Sequence, residues 1–123
     1  MLWRDDFCRI VRIPGDDYPG FCRVVLNRHV EEMTDLATEE RNRVMGAVFA
    51  TESVLRELFA PAKMNLASFG NKVRYVHWHV IPRTEDDPHF PEPSWGAALR
   101  PAPARQRKVD DAQIASRLAT LLD

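Results

Sequence analysis

The chain has 123 residues, 45% of them hydrophobic and 28% charged, a balance that fits one globular domain and excludes wholesale disorder. Seventeen basic residues against eighteen acidic ones leave a net charge of -1, without the basic excess that a general nucleic-acid backbone binder needs. No run of about 18 apolar residues is present, so no membrane span is expected. The opening Met1-Leu-Trp-Arg-Asp-Asp places two acids where a secretory signal needs a basic and then an apolar region, so the expected location is cytoplasmic. Nine prolines, six of them from Pro82 to Pro103, and four histidines, two of them within residues 77–79, are the uneven features.

In chain order, Phe7-Cys-Arg-Ile-Val-Arg-Ile13 is a β-branched run closed by Pro14-Gly15-Asp16-Asp17, which is turn chemistry. Phe21 to Leu26 reads as a second strand, and the short connection makes the pair a β-hairpin. Cys8 and Cys22 lack a metal-type spacing and are expected as free buried thiols, with one disulfide left open should their strands pair. Thr38 followed by Glu39 and Glu40 reads as a helix N-cap with acids in the first turn. Val44, Val48, Thr51, Leu55 and Leu58 then form one stripe of an amphipathic helix that ends before Pro61.

Lys63 to Phe69 reads as a third strand, and Gly70-Asn71 as a turn. Val73 to Ile81 alternates strictly, with Val76, Trp78 and Val80 on one face and Tyr75, His77, His79 and Ile81 on the other. The segment from Arg83 to Arg105 is punctuated by proline and has no period, so it is expected as a long extended loop. Asp110 opens a last helix with Ile114, Leu118 and Leu121 on one face. The order predicts an α+β fold with an antiparallel sheet, one long helix and a C-terminal helix. The expected division is a domain over 1–105 and a helical tail over 106–123.

His77 and His79 project from the same face of their strand, and the apolar alternate face is the better candidate for the core. The histidine face is then left for solvent or a ligand. With an ordinary pKa of roughly 6.5, one imidazole can be neutral while its neighbour is protonated. A neutral imidazole can attack an electrophilic phosphorus while an adjacent cation stabilises charge on its oxygens. The same spacing also suits ordinary half-exposed strand histidines, or two of three metal ligands. A third ligand would have to come from His29, His89 or a carboxylate, and nothing in the spacing points to one. No metal and no cofactor are expected.

The segment Tyr75-Val-His77-Trp-His79-Val-Ile-Pro-Arg83 resembles the signature of the histidine triad (HIT) superfamily, His-φ-His-φ-His-φ-φ with φ apolar. The likeness extends through Gly70-Asn71-x-Val73, through Tyr18 to His29, and through Met33-Thr-Asp-Leu36. Downstream, Glu85 to Trp95 resembles a compact bacterial branch described as diadenosine tetraphosphate hydrolase-like. The resemblance implies a HIT-like fold, a homodimer whose two sheets join, and nucleotide hydrolase or transferase chemistry at a nucleoside α-phosphorus. It implies dinucleoside polyphosphates or nucleoside phosphoramidates as substrates. His77 takes the place of the nucleophile that forms a nucleotidyl-histidine, and His79 that of the histidine contacting phosphate oxygens and leaving group. Asn71 stands where a phosphate-contacting amide belongs, with Lys72 beside it where Ser or Thr is usual.

Two positions depart from the pattern. Tyr75 stands where the first histidine of the triad belongs, and Phe21 where several branches carry another. A catalytically weak nucleotide-binding sensor is therefore the rival to the enzyme. Asp16 and Asp17 sit near where the resemblance puts an acid on the ribose hydroxyls, although acids also simply favour turns. His29 is read as a residue hydrogen-bonding the strand to the helix, and His89 is undecided. Trp95 is read as a packing residue, and Arg100, Arg105, Arg107 and Lys108 as a solvated basic run.

Overall fold

The computed structural model describes residues 1–103 and 108–123. Five strands form one antiparallel sheet: β1 (Trp3–Arg4), β2 (Cys8–Arg12), β3 (Cys22–Leu26), β4 (Lys63–Ala67) and β5 (His77–Arg83), in the order β1-β2-β3-β5-β4. Helix α1 (Thr38–Phe59) and helix α2 (Asp111–Leu122) complete the α+β architecture. The β2–β3 hairpin forms as expected, turning through Gly15, whose φ of 139° is a conformation that side chains beyond glycine rarely adopt. β1, too short for a pattern to reveal, pairs Trp3 with Ile10 at the edge.

Alternation puts Cys8, Ile10, Cys22, Val24 and Val80 on one face of the sheet, and α1 covers that face with Val44, Val48, Thr51 and Leu55. Burial of each such Val or Leu contributes roughly 1.5–3 kcal/mol, so the α1 stripe read from the sequence is the main seam of the core. Thr51 fits there because its hydroxyl donates to the Ala47 carbonyl at 2.8 Å. Both cysteines are buried and free. Although β2 and β3 pair, Cys8 faces Leu26 and Cys22 faces Arg12, so the two thiols lie at opposite ends of the hairpin. Burial raises the Cys8 thiol to about 11 and the Cys22 thiol to about 12.

Several boundaries differ from the sequence reading. The strand expected from Val73 begins only at His77 and runs on to Arg83. Its neighbours set that start: β3 pairs no further than Val25 with His77, and β4 ends at Ala67 opposite His79, so residues 73–76 have no ladder to join. Pro82 is tolerated because β3 has already ended opposite Val80, leaving β4 as the only neighbour there. Thr38 is the first residue of α1 rather than its cap, and Glu40 turns back to accept from the Ala37 N–H at 2.9 Å. Asp110 caps α2 as expected, accepting from Gln113 N at 2.9 Å. Ile114 and Leu118 are buried against the core, but Leu121 is exposed, and Leu122 packs in its place. The expected division at 105/106 falls outside the described residues, and α2 beyond it packs on α1 and β1.

The proline-rich segment is anchored rather than merely extended. Arg83, only 2% exposed, donates from Nε to Asp87 Oδ2 at 2.7 Å and from Nη2 to Asp87 Oδ1 at 3.0 Å. It also reaches Asn65 Oδ1 on β4 and the Glu92 carbonyl, and it lies over the rings of Tyr18 and Phe90. Asp87 Oδ1 accepts from the N–H groups of His89 and Phe90. Burial alone would raise the Asp87 carboxyl, but Arg83 and these two N–H groups outweigh it and hold the acid below its usual range. Arg100 is not solvated: its guanidinium donates to the carbonyls of Asp87 and Phe90. Arg105 and Arg107 lie outside the described residues.

Asp87→Ala leaves the Arg83 charge buried without its partner and should cost about 3–5 kcal/mol. Arg43→Ala, which breaks the solvent-exposed contacts to Asp5 and Asp6, should cost less than about 1 kcal/mol. Urea-unfolding midpoints of the two variants measure the contrast; equal losses would show that the loop anchor adds no more stability than a surface pair.

Candidate active site

The antiparallel register builds the site as two rows across the sheet face opposite α1. Arg9 on β2 pairs with Val25 on β3, which pairs with His77 on β5. In the next row Val11 pairs with Arg23, Arg23 with His79, and His79 with Ala67 on β4. Period-two alternation therefore gathers both histidines and two arginines from three strands.

Of the two roles expected for this face, solvent exposure or a ligand, the first does not hold for the histidines. His77 is 9% exposed and His79 6%. Phe69, just beyond β4, stacks on the His79 ring with centroids 4.9 Å apart, and Phe21 lies tilted against it at 5.4 Å. Trp95 meets the Phe69 ring edge-on at 4.9 Å. It is 68% exposed, so it is not the packing residue expected, because Arg83 and Asp87 hold its loop against the site without sinking its indole into the core. The two imidazoles stand nearly perpendicular, with centroids 5.1 Å apart.

The Tyr75 carbonyl lies 2.7 Å from His77 Nδ1. A carbonyl only accepts, so Nδ1 carries a proton, and Nε2 is the nitrogen that holds the lone pair whenever the ring is neutral. The backbone of His77 is held in turn by Ser68, whose hydroxyl donates to the His77 carbonyl at 2.8 Å. His79 does not serve as the protonated neighbour: burial first, then the Arg23 charge and the mutual repulsion the two imidazoles would have if both were protonated, lower its pKa to about 4. At neutral pH it is an uncharged donor and acceptor.

A cavity of about 200 Å³ opens beside His77 on the β3 side, and Arg9, Arg23, His29 and Tyr75 contribute to its wall. His29 stacks on Tyr75 with centroids 4.0 Å apart, a ring contact in place of the strand-to-helix hydrogen bond expected of it. Asn71 is exposed in the turn after β4 and borders a different cavity, of about 670 Å³, shared with Glu31, Arg74 and Trp78. Tyr75 borders both. Gly70 makes this turn feasible, since a side chain there would meet the Val73 carbonyl at 2.5 Å. Lys72 is exposed in the same turn, and Asp16 and Asp17 are exposed in the β2–β3 turn, bordering neither cavity. His89 is buried outside the site, with Nδ1 hydrogen-bonded to the Tyr18 hydroxyl.

The sequence reading passed over Arg23, Arg9 and Phe69. Arg9 and Arg23 each interrupt an apolar strand of the hairpin one residue after a cysteine, a visible signal for the arginines. Phe69 carried none, because its position depends on where β4 ends. Among the described residues no group of three or more His, Cys, Asp and Glu side chains gathers where it could hold a metal ion. No helix among them is long and apolar enough to cross a membrane.

Fold and site together define a class: small α+β domains that present two histidines, two residues apart, on the face of an antiparallel sheet opposite its long helix. The model of one such family, the HIT domain, matches residues 1–86, and the chain belongs to that family. Solved structures agree. A histidine triad protein from Marinobacter aquaeolei is 29% identical with a TM-score of 0.75, over 98% of this chain and 86% of the other. One from Bradyrhizobium japonicum is 24% identical with a TM-score of 0.75, over 98% and 88%. A hypothetical histidine triad nucleotide-binding protein from Sulfolobus tokodaii shares the fold at 14% identity and a TM-score of 0.65, over 98% and 83%. No curated protein matches the chain.

The buried His79 gives a signed pH dependence. Unfolded, its imidazole takes a proton near pH 6.5; folded, it does so only near pH 4. Between these values the unfolded chain binds more protons, so stability should fall as pH drops from about 6.5 to 4, by on the order of 2 kcal/mol from this group. Chemical denaturation across that window should show the loss, and His79→Phe should flatten it. An NMR titration placing His79 at an ordinary histidine pKa would contradict the assignment.

Proposed function

We propose that the protein is a nucleotide hydrolase or transferase acting at a nucleoside α-phosphorus, of the dinucleoside polyphosphate or phosphoramidate type. The observation that carries this is the His77 tautomer: the Tyr75 carbonyl accepts a hydrogen bond from Nδ1–H, which leaves Nε2 as the nucleophilic nitrogen of a residue that lines a cavity. Family membership and the nucleotide-binding designation of the Sulfolobus tokodaii protein support nucleotides as the substrate class.

In the proposed reaction the Nε2 lone pair forms a bond to phosphorus as the bond from phosphorus to the leaving oxygen or nitrogen breaks. The leaving group departs with its electron pair and takes up a proton from solvent or a site donor. Water then attacks the nucleotidyl-histidine, the P–N bond breaks, and the nucleoside monophosphate leaves with His77 restored. Neutral His79 contributes a hydrogen bond to a phosphoryl oxygen or the leaving group rather than a full charge. Asn71 and Lys72 are proposed as phosphate contacts, with Asp16 and Asp17 as ribose contacts that require the β2–β3 turn to bend toward the ligand. The chain is proposed to act in the cytoplasm as a homodimer, with the domain over 1–105 carrying the site and 106–123 as its helical appendage.

A second reading is a nucleotide-binding sensor, favoured by Tyr75 and Phe21, which stand where the resemblance puts two further histidines of the site. Both readings are separated by one variant. His77→Ala should lower turnover of diadenosine polyphosphates and adenosine phosphoramidates by at least about 10³-fold, with nucleotide binding and the urea midpoint retained. Mass spectrometry of acid-quenched wild-type protein should find a nucleotidyl adduct on the peptide carrying His77. Undiminished turnover in the variant overturns the mechanism, and binding without turnover in the wild type selects the sensor.

A further inference from the structure

The cavity beside His77 holds more positive charge than the proposed attack on one phosphorus requires. Arg23 lies directly across from His79 and diagonally from His77, and its guanidinium sits 5.5 Å above the Phe21 ring. Its Nε is fully buried, yet has no hydrogen-bond acceptor. A buried guanidinium N–H without an acceptor is costly, and Arg23 is a lining residue of the cavity, where an acceptor from outside the chain can meet its guanidinium. Only Trp78 Nε1 shares this condition among the described residues, and Trp78 belongs to the opposite face of β5.

Arg9, one strand further out, donates from Nη1 only to neutral acceptors, the Leu26 carbonyl at 3.4 Å and Asn27 Oδ1 at 3.1 Å. The cavity wall includes no carboxylate, and among the described residues neither arginine is ion-paired. Two uncompensated guanidinium groups in a recess of about 200 Å³ match a phosphate in charge and in donor geometry. On the β4 side of the site the neighbours are aromatic: Phe69 stacks on His79, and Trp95 meets Phe69 edge-on.

We infer that the recess on the β2–β3 side of His77 is a subsite for a second phosphate group, distinct from the phosphorus attacked, held by Arg23 through its fork of N–H donors and by Arg9. This deepens the proposed function by naming a requirement on the substrate: an additional phosphate on the β2–β3 side of His77. It rests on that reading only for the word substrate, since the recess binds phosphate whether or not turnover follows. The Arg23 charge has a second effect in place, for it helps to keep His79 unprotonated.

The test uses the full chain and three probes: inorganic pyrophosphate, AMP and ADP. In ¹H–¹⁵N spectra of the wild type, pyrophosphate alone should shift the Arg23 Nε–H resonance in a saturable way. ADP should bind at least about tenfold tighter than AMP, and the difference should shrink as salt is raised. Arg23→Gln should bring the ADP-to-AMP ratio close to one. Arg23→Lys, which keeps the charge but loses the fork, should recover part of it and covers the event that the glutamine variant does not fold. An unmoved Nε–H with pyrophosphate, or an ADP-to-AMP ratio unchanged in a folded Arg23 variant, overturns the subsite. If His77 proves dispensable for turnover while pyrophosphate still shifts Arg23, the mechanism falls and the subsite stands.

Discussion

The pairing of β3 with β5 decides whether this molecule has a site at all. In the observed register Val25 faces His77 and Arg23 faces His79, so both imidazoles and a guanidinium share one face while Val24 and Val80 point to α1. A slip of one residue would send the histidines into the apolar seam under Val44 and Val48 and expose Trp78 and Val80. The hydrophobic drive that fills the core is therefore the same force that orients the polar face. Stability and site geometry are not separate properties here, because the alternation of one seven-residue strand supplies both.

The buried ion pair of Arg83 and Asp87 does comparable work for the segment after that strand. Proline-punctuated chain has little regular structure of its own to hold it. One carboxylate here organises a buried guanidinium and two backbone N–H groups. Arg100 then ties the far end of the segment to the same point. The cost of burying those charges is offset by several short hydrogen bonds, and the outcome is an exposed tryptophan held near a histidine ring through Phe69. Anchoring and exposure occur in the same loop because the anchor engages the backbone and Arg83, leaving the Trp95 indole out of the core.

What was legible in the sequence followed from periodicity. The α1 stripe, the β2–β3 hairpin, the Asp110 cap and the facing of His77 with His79 all arise from local alternation or local capping, which one strand or helix displays by itself. Features that depend on where a neighbour ends were not legible: the start of β5 at His77 rather than Val73, the position of Phe69, and the short edge strand at Trp3. The enclosure of His79 belongs to the same class. Its neutrality owes most to burial by neighbours outside β5, Phe21 and Phe69 among them, and to the Arg23 charge, and no spacing within residues 73–81 encodes them. The signature resemblance located the site, whereas its charge distribution required three strands side by side.

The two thiols at opposite ends of the β2–β3 hairpin give the core a chemical clock. Each is enclosed between sheet and helix, and the environment that excludes water also suppresses the thiolate, the form that reacts. Neither can meet a solution reagent unless the seam between the hairpin and α1 opens. The rate at which each sulfur is modified under native conditions thus reports the opening of its own end of the hairpin. Unequal rates would reveal which end of the sheet yields first, without any probe added to the chain.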